Sequence, residues 1–412
     1  MLMNNMLLNE ITGYYACDGI KYSSKITACV QGTKLKKPVT WHFNDEVFDR
    51  YSWGIEPSLS LDDLYDKRAR ELREKYDYIM LSYSGGSDSN NILESFLRQG
   101  LFIDEVVTNV MHDRNSITIL DKSCVDSWNE SAEYHFQTLP RLKYLEKVSP
   151  KTKITVIDAS SHVFQFLDSI GDENWLNHTR ERLNVTGLLR NNFLHFKNIR
   201  NTFDKGKKIA VILGIEKPRT YIKQGMFKLM FVDKAMNIST VEEFFVDYEN
   251  TGVEYFYSHP DCADMICKQA HTIKNWLEAN PDWIYRWSPR SFSHFNKMHR
   301  LIHERALRNI IYTTWYDDIY WQANKSTLDW YNQFDTWFYK DYRNTREYRI
   351  WEAGLKYVKE NAKDYIKGYF GSVDSDNYDL GLVPFVKIYD VGPMNQKTRP
   401  MGNDNFPKWS DL

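Results

Sequence analysis

The sequence predicts an α/β protein: a parallel sheet flanked by helices, with a β-hairpin stub before it and a mainly helical, aromatic-rich part after it. Short apolar runs at Tyr78–Tyr83, Glu105–Met111, Lys153–Asp158 and Lys208–Leu213 read as buried strands. The stretches between them leave room for covering helices, the sequence form of parallel strands joined by crossovers. Aromatic residues make up 15% of the chain and concentrate after residue 245. The pattern divides the 412 residues into a β-rich stub (1–58), an α/β unit (59–245), a helical part (246–370) and an extended tail (371–412).

Near the N-terminus, two β-prone runs, Gly13–Cys17 and Ile20–Ser23, flank Asp18-Gly19, a strong hairpin signal, and Thr40–Phe43 reads as a third short strand. Leu59 to Tyr76 has helical spacing at Leu61, Leu64, Tyr65, Ala69 and Leu72, with Ser60 as cap and Asp62 and Asp63 in the first turn. The first apolar strand then runs into Ser84-Gly-Gly-Ser-Asp-Ser89, with a helix beginning near Ser89. Residues 127–145 read as a polar-faced helix. Beyond Asp247, Asp261–Leu277, Ser291–Tyr316 and Tyr348–Tyr369 have helical spacing, broken by Pro260, Pro281 and Pro289. The tail carries one strand-like run, Leu382–Tyr389.

A net charge of -2 gives no global nucleic-acid footprint and leaves only a local basic patch open to that role. No apolar run approaches the ~18 residues that span a membrane, and the first residues lack the features of a signal peptide. Five cysteines are a sparse, odd set that points to reduced thiols in a cytoplasmic protein. Cys262 and Cys267 have no partner pair for zinc. His299 and His303, four apart, lack identifiable further ligands, and Asp317-Asp318 reads as a helix cap.

The turn carries the chemistry. Two glycines free to adopt positive φ let successive backbone amides converge on one point. The helix that follows adds its unpaired amides and the positive end of its dipole. Ser84, Ser87 and Ser89 add hydroxyl donors, so the point suits phosphate. A lysine before Ser or Thr, as in the Walker A loop, is missing, and so is the third glycine of the dinucleotide fingerprint.

Ser-Gly-Gly-x-Asp-Ser resembles the signature of the PP-loop ATP pyrophosphatases, the adenine nucleotide alpha-hydrolase-like group, and most resembles the synthetase part of asparagine synthetase. The hairpin around Asp18–Ala28 is similar, more weakly, to the one that ends the glutaminase domain of that family. The chain begins Met1-Leu2-Met3 where that glutaminase would expose a cysteine, so no glutamine hydrolysis is expected. The resemblance implies ATP and Mg²⁺ as cofactors, cleavage between the α and β phosphates, and transfer of AMP to an acceptor oxygen. It assigns the nucleotide to Ser82, Ser84, Gly85, Gly86, Ser87, Asp88, Ser89 and Val110, with Asp88 as magnesium ligand and catalytic residue.

Lys217 and Arg219 follow the strand ending at Leu213, on the same sheet edge as the turn, and are catalytic candidates for neutralising phosphate charge. Glu216 beside them, and Lys268 and His271, three apart on one helix, are candidates for the acceptor site. The resemblance leads us to expect a small molecule or a nucleobase as acceptor and leaves an amine donor from outside the chain open. Gly214–Arg219 departs from the family's acidic segment, which puts aspartate as acceptor in doubt. Two alternatives stand beside this reading: a sulfonucleotide reductase-like enzyme, for which no cysteine follows Cys267, and a nucleotide-binding protein without catalysis.

Overall fold

The computed structural model describes residues 13–110, 133–178, 182–185, 206–214, 217, 219–233, 251–287, 297–315, 333–368 and 380–395. Asp18 and Gly19, both at positive φ, close a hairpin of β1 (Tyr14–Cys17) and β2 (Ile20–Tyr22). A helix that the sequence pattern did not announce, α1 (Lys25–Leu35), comes next. The Ser24 hydroxyl caps it by accepting the Thr27 amide at 3.3 Å. β3 (Val39–His42) then pairs with the free side of β1, followed by the short α2 (Asp45–Phe48).

As expected, Ser60 starts α3 (Leu61–Lys75), where Ser60 and Asp63 exchange hydrogen bonds in a capping box. The chain continues through β4 (Tyr78–Ser82), α4 (Ser87–Leu97), β5 (Glu105–Val110), α5 (Leu139–Val148), β6 (Lys153–Asp158), α6 (Ala159–Ile170) and β7 (Ile209–Leu213). A hairpin, β8 (Arg219–Lys223) and β9 (Met226–Val232), precedes β10 (Thr251–Tyr255). β4, β5, β6, β7 and β10 form one parallel sheet in the order β10-β7-β4-β5-β6. Successive strands step outward from β4 on one side, and the chain then crosses back to β7 on the other. The point of reversal lies at the carboxyl end of β4, where open α/β sheets place ligands.

The rest of the chain supplies α7 (Ala263–Ala279), α8 (Lys297–Ile311), α9 (Gln333–Asp341), α10 (Arg346–Asn361), β11 (Ile366–Gly368), β12 (Leu380–Leu382) and β13 (Val386–Pro393). Three expectations are corrected. The sheet does not respect a boundary at residue 245, because β10 is one of its strands, paired along its whole length with β7. The helix expected to reach Tyr369 stops at Asn361, since Ile366–Gly368 pair with β12. The tail is also more than a covering: β13 pairs with β9 to make an antiparallel sheet, β13-β9-β8.

Two aromatic-rich cores result. The main one surrounds the parallel sheet and takes in Tyr65, Tyr257, Trp287 and Tyr312. The other joins Ile26 and Cys29 of α1 to Trp175, Trp337, Trp351 and Leu382. Gly354 allows Trp175 to approach α10, since a Cβ there would sit 2.5 Å from the indole Cε2. Among the described residues, no helix is long and apolar enough to cross a membrane.

A buried ionic network fastens α3 to β10. Glu254 accepts from Arg68 at 2.7 Å and from Lys75 at 2.8 Å, with the Tyr76 hydroxyl beside them and the His259 ring at 3.7 Å. Burial alone would raise the Glu254 pKa, but Arg68, His259, Lys75 and Tyr76 together hold it down to about 2. The folded chain therefore keeps Glu254 ionised down to about pH 2, while the unfolded chain protonates it near 4.5. The network's contribution is complete above pH 4.5 and disappears as the pH falls toward 2. Glu254→Gln leaves Arg68 buried without its counter-charge and is expected to destabilise the protein by about 3–5 kcal/mol at neutral pH. Urea unfolding at a series of pH values should show the gap from wild type narrowing in acid.

Candidate anion-binding site

β4 ends at Ser82, which pairs with Val107 of β5 and Leu213 of β7, and Val110 ends β5 on the same rim. The chain then turns through Tyr83–Gly86 into α4. The helix starts at Ser87, two residues earlier than expected, so Asp88 and Ser89 lie in its first turn. Gly86 is its N-cap residue and, having no side chain, makes no side-chain cap bond. Gly85 has φ +72, and a Cβ there would lie 2.7 Å from Thr138 Cα. Both conditions call for glycine. The Ser84 hydroxyl accepts the Gly86 amide at 3.2 Å, and Ser89 Oγ accepts the Ser84 amide at 3.3 Å.

Thr138 was not foreseen from sequence. It closes a π-helical turn, Tyr134–Thr138, ahead of α5, and its hydroxyl donates to the Ser84 carbonyl at 2.9 Å. Gly214, just past β7, supplies the opposite wall: a Cβ there would come within 3.2 Å of the Ser89 nitrogen.

Asp88 is the centre of the site. Lys217 Nζ donates to both of its carboxylate oxygens, at 3.0 and 2.9 Å, and the Tyr312 hydroxyl donates to Oδ1 at 2.7 Å. Arg308 Nη2 lies 3.3 Å from Oδ2, while its Nε donates to Ser87 Oγ at 2.9 Å and its other end meets Glu304. Tyr257, in the turn after β10, donates to the Asp88 carbonyl at 2.8 Å. Three segments distant in sequence thus meet the first turn of α4: the loop after β7, the turn after β10 and the end of α8. Burial, then the Asp88 charge, raises the Tyr257 and Tyr312 pKa values, so both stay protonated donors.

The structure therefore brings Lys217 to the loop, together with Arg308 and Tyr312. Arg219 opens β8 one step further out. Glu216, like Cys124 and Asp317-Asp318, lies outside the described residues. Lys268 and His271 do share a face of α7, but that face is turned elsewhere. Lys268 Nζ donates to Glu56 at 2.7 Å and to the Pro57 carbonyl at 3.1 Å, and His271 Nε2 bonds the Trp53 carbonyl at 3.0 Å. They hold the segment between α2 and α3 and are not brought to the loop. His303 is buried against Trp287, with ring centroids 4.4 Å apart.

A helix N-terminus, serine hydroxyls, an ammonium and a guanidinium brought together match the charge and hydrogen-bonding demands of a polyphosphate. They do not match a metal held by Asp88. Both its oxygens accept from Lys217, and a dication there would have to expel an ammonium and sit beside Arg308. Among the described residues, no three His, Cys, Asp or Glu side chains converge on a metal position. No protein-family model matches this chain, and no curated protein matches it.

Gly85→Ala combines an unfavourable left-handed backbone with a clash against Thr138 and is expected to destabilise the protein by about 2–5 kcal/mol, measured by urea unfolding. Asp88→Asn releases Lys217 and Arg308 from their carboxylate. Metal-free pyrophosphate should then bind about tenfold tighter by calorimetry, while the fold loses stability; weaker metal-free binding would show that Asp88 does not compete with the anion.

Proposed function

We propose that the protein is an ATP-dependent synthetase of the PP-loop pyrophosphatase type, with the adenine nucleotide alpha-hydrolase-like form of the Rossmann-like sheet. The observation that carries this reading is the Ser84–Ser89 turn. It sits at the carboxyl end of β4, where the strand order reverses, with a helix N-terminus and Lys217 and Arg308 beside it. The order β6-β5-β4-β7-β10 is the one that doubly wound nucleotide-binding sheets use around such a crevice.

ATP supplies an activated α-phosphorus and a pyrophosphate leaving group. The loop amides and the Ser84, Ser87 and Ser89 hydroxyls hold the outer two phosphoryl groups, leaving the α-phosphorus open toward Lys217. An acceptor oxygen attacks it, the bond to the bridging oxygen breaks, and pyrophosphate departs with the electron pair. An amine or another nucleophile then displaces AMP from the adenylated acceptor, losing a proton as it does so. Lys217 and Arg308 stabilise the charge that gathers on the departing oxygens. Asp88 keeps the two cations aligned before the anion arrives. No side chain needs to form a covalent intermediate, because alignment and charge stabilisation carry the rate.

A sulfonucleotide reductase reading fits less well. Such chemistry needs a reactive thiolate, and burial pushes the Cys262 and Cys267 thiols up to about 11. Incubation with ATP and a panel of acceptors should release AMP and pyrophosphate, with Lys217→Ala lowering turnover by about 10²–10³. Release of ADP and orthophosphate without AMP would reject the proposal.

A further inference from the structure

The face of α7 that carries Lys268 and His271 shapes a second place on the surface. Trp53 Nε1 donates to the Phe48 carbonyl at 2.8 Å, and the Cys267 thiol donates to the Trp53 and Ile55 carbonyls at 3.4 and 3.3 Å. With the His271 and Lys268 bonds to the Trp53 and Pro57 carbonyls, these contacts hold the chain between α2 and α3 against α7. Beside it opens a cleft of about 520 Å³, whose lining includes Arg50, Tyr51, Ile55, Leu59, Leu64 and Asp264. Small-molecule sites are of this size, largely preformed, and apolar with a few placed polar groups.

The lining mixes aliphatic surface with one charge of each sign. Leu64 is buried, but Ile55 and Leu59 are 70% and 45% exposed, although the segment that carries them is held down. Single exposed aliphatics are ordinary, whereas two on the lining of one concavity make an apolar wall. Asp264 stands in the first turn of α7, where the helix dipole favours its ionised form, and its Oδ1 accepts from the Tyr51 hydroxyl at 2.6 Å. Among the described residues, none donates to its Oδ2 and none forms an ion pair with Arg50. A guanidinium and a carboxylate therefore line the same cleft without pairing with each other.

The geometry points to a binding site for a small zwitterion with an apolar body, an apolar α-amino acid or its dipeptide. The ligand's carboxylate pairs with Arg50, whose forked donors suit that group, and its ammonium pairs with Asp264 Oδ2. Its side chain covers Ile55, Leu59 and Leu64. A ligand with one charge would satisfy only one of the two ionic groups, and an uncharged one neither. No residue of this lining belongs to the proposed nucleotide site, so the inference is independent of that reading.

The test titrates the full-length protein, without nucleotide, with L-leucine and with L-leucyl-L-leucine, read by ligand-observed NMR. Two controls carry the leucine body with a single charge: 4-methylpentanoate and 3-methylbutylamine. At least one zwitterion should bind about tenfold or more tighter than either control, and which one binds distinguishes amino acid from dipeptide. Arg50→Gln should lower zwitterion affinity to that of the amine, Asp264→Asn to that of the carboxylate, and Ile55→Ser should weaken binding by about tenfold. All three positions are exposed, so the variants should remain folded, which thermal unfolding checks. No zwitterion binding up to about 10 mM, or binding indifferent to Arg50→Gln and Asp264→Asn, overturns the inference. So does a wild-type dimer in sedimentation that Ile55→Ser dissociates, because the cleft would then be a contact between copies of the chain.

Discussion

The site depends on one carboxylate. Asp88 stands in the first turn of α4, where a negative charge is favoured by the helix dipole, and it accepts from Lys217, Arg308 and Tyr312 at once. Hydrogen bonds to charged groups contribute about 1.5–3 kcal/mol each, so the group is strongly held. It also solves an electrostatic conflict: an ammonium and a guanidinium brought to the positive end of a helix would repel both it and each other. By satisfying them in advance, Asp88 sets them about where a phosphate would need them. An arriving anion must then exchange partners rather than gather them.

Much of this was legible in the chain, for local reasons. Strand, glycine turn and helix are contiguous from Tyr78 to Leu97, so spacing and turn chemistry identify them without knowledge of the fold. Lys217 could be placed because a residue just past a parallel strand reaches the same rim as its neighbours. Arg308, Tyr312, Tyr257 and Thr138 could not be placed, since their contacts with the loop span from 54 to 224 positions. Only the packing of α8, the turn after β10 and the π-helical turn around the Ser84–Ser89 segment creates those contacts. Lys268 and His271 illustrate the converse. Their helical spacing correctly puts them on one face, but spacing does not say what the face meets, and it meets the segment from Trp53 to Pro57.

Elsewhere, tertiary pairing overrode local pattern. Thr27, Val30 and Thr33 make Lys25–Leu35 a weak helix by propensity, yet the Ser24 cap and burial of Ile26, Ala28 and Cys29 hold it. Residues 366–368 continue a helical pattern but leave it to pair with β12, and Thr251–Tyr255 joins the parallel sheet from a region whose composition announces helices. In the two sheet cases the deciding partner lies beyond the reach of local periodicity, 12 to 16 positions on for β11 and 42 positions back for β10.

The second aromatic core has a consequence for how the polypeptide is made. Ile26 and Cys29 leave the ribosome more than three hundred residues before Trp351, Leu355 and Leu382, which share their core. At elongation rates of roughly 5–20 residues per second the interval is on the order of tens of seconds. Throughout it the nascent helix carries an uncovered greasy face, an invitation to chaperones and to neighbouring nascent chains.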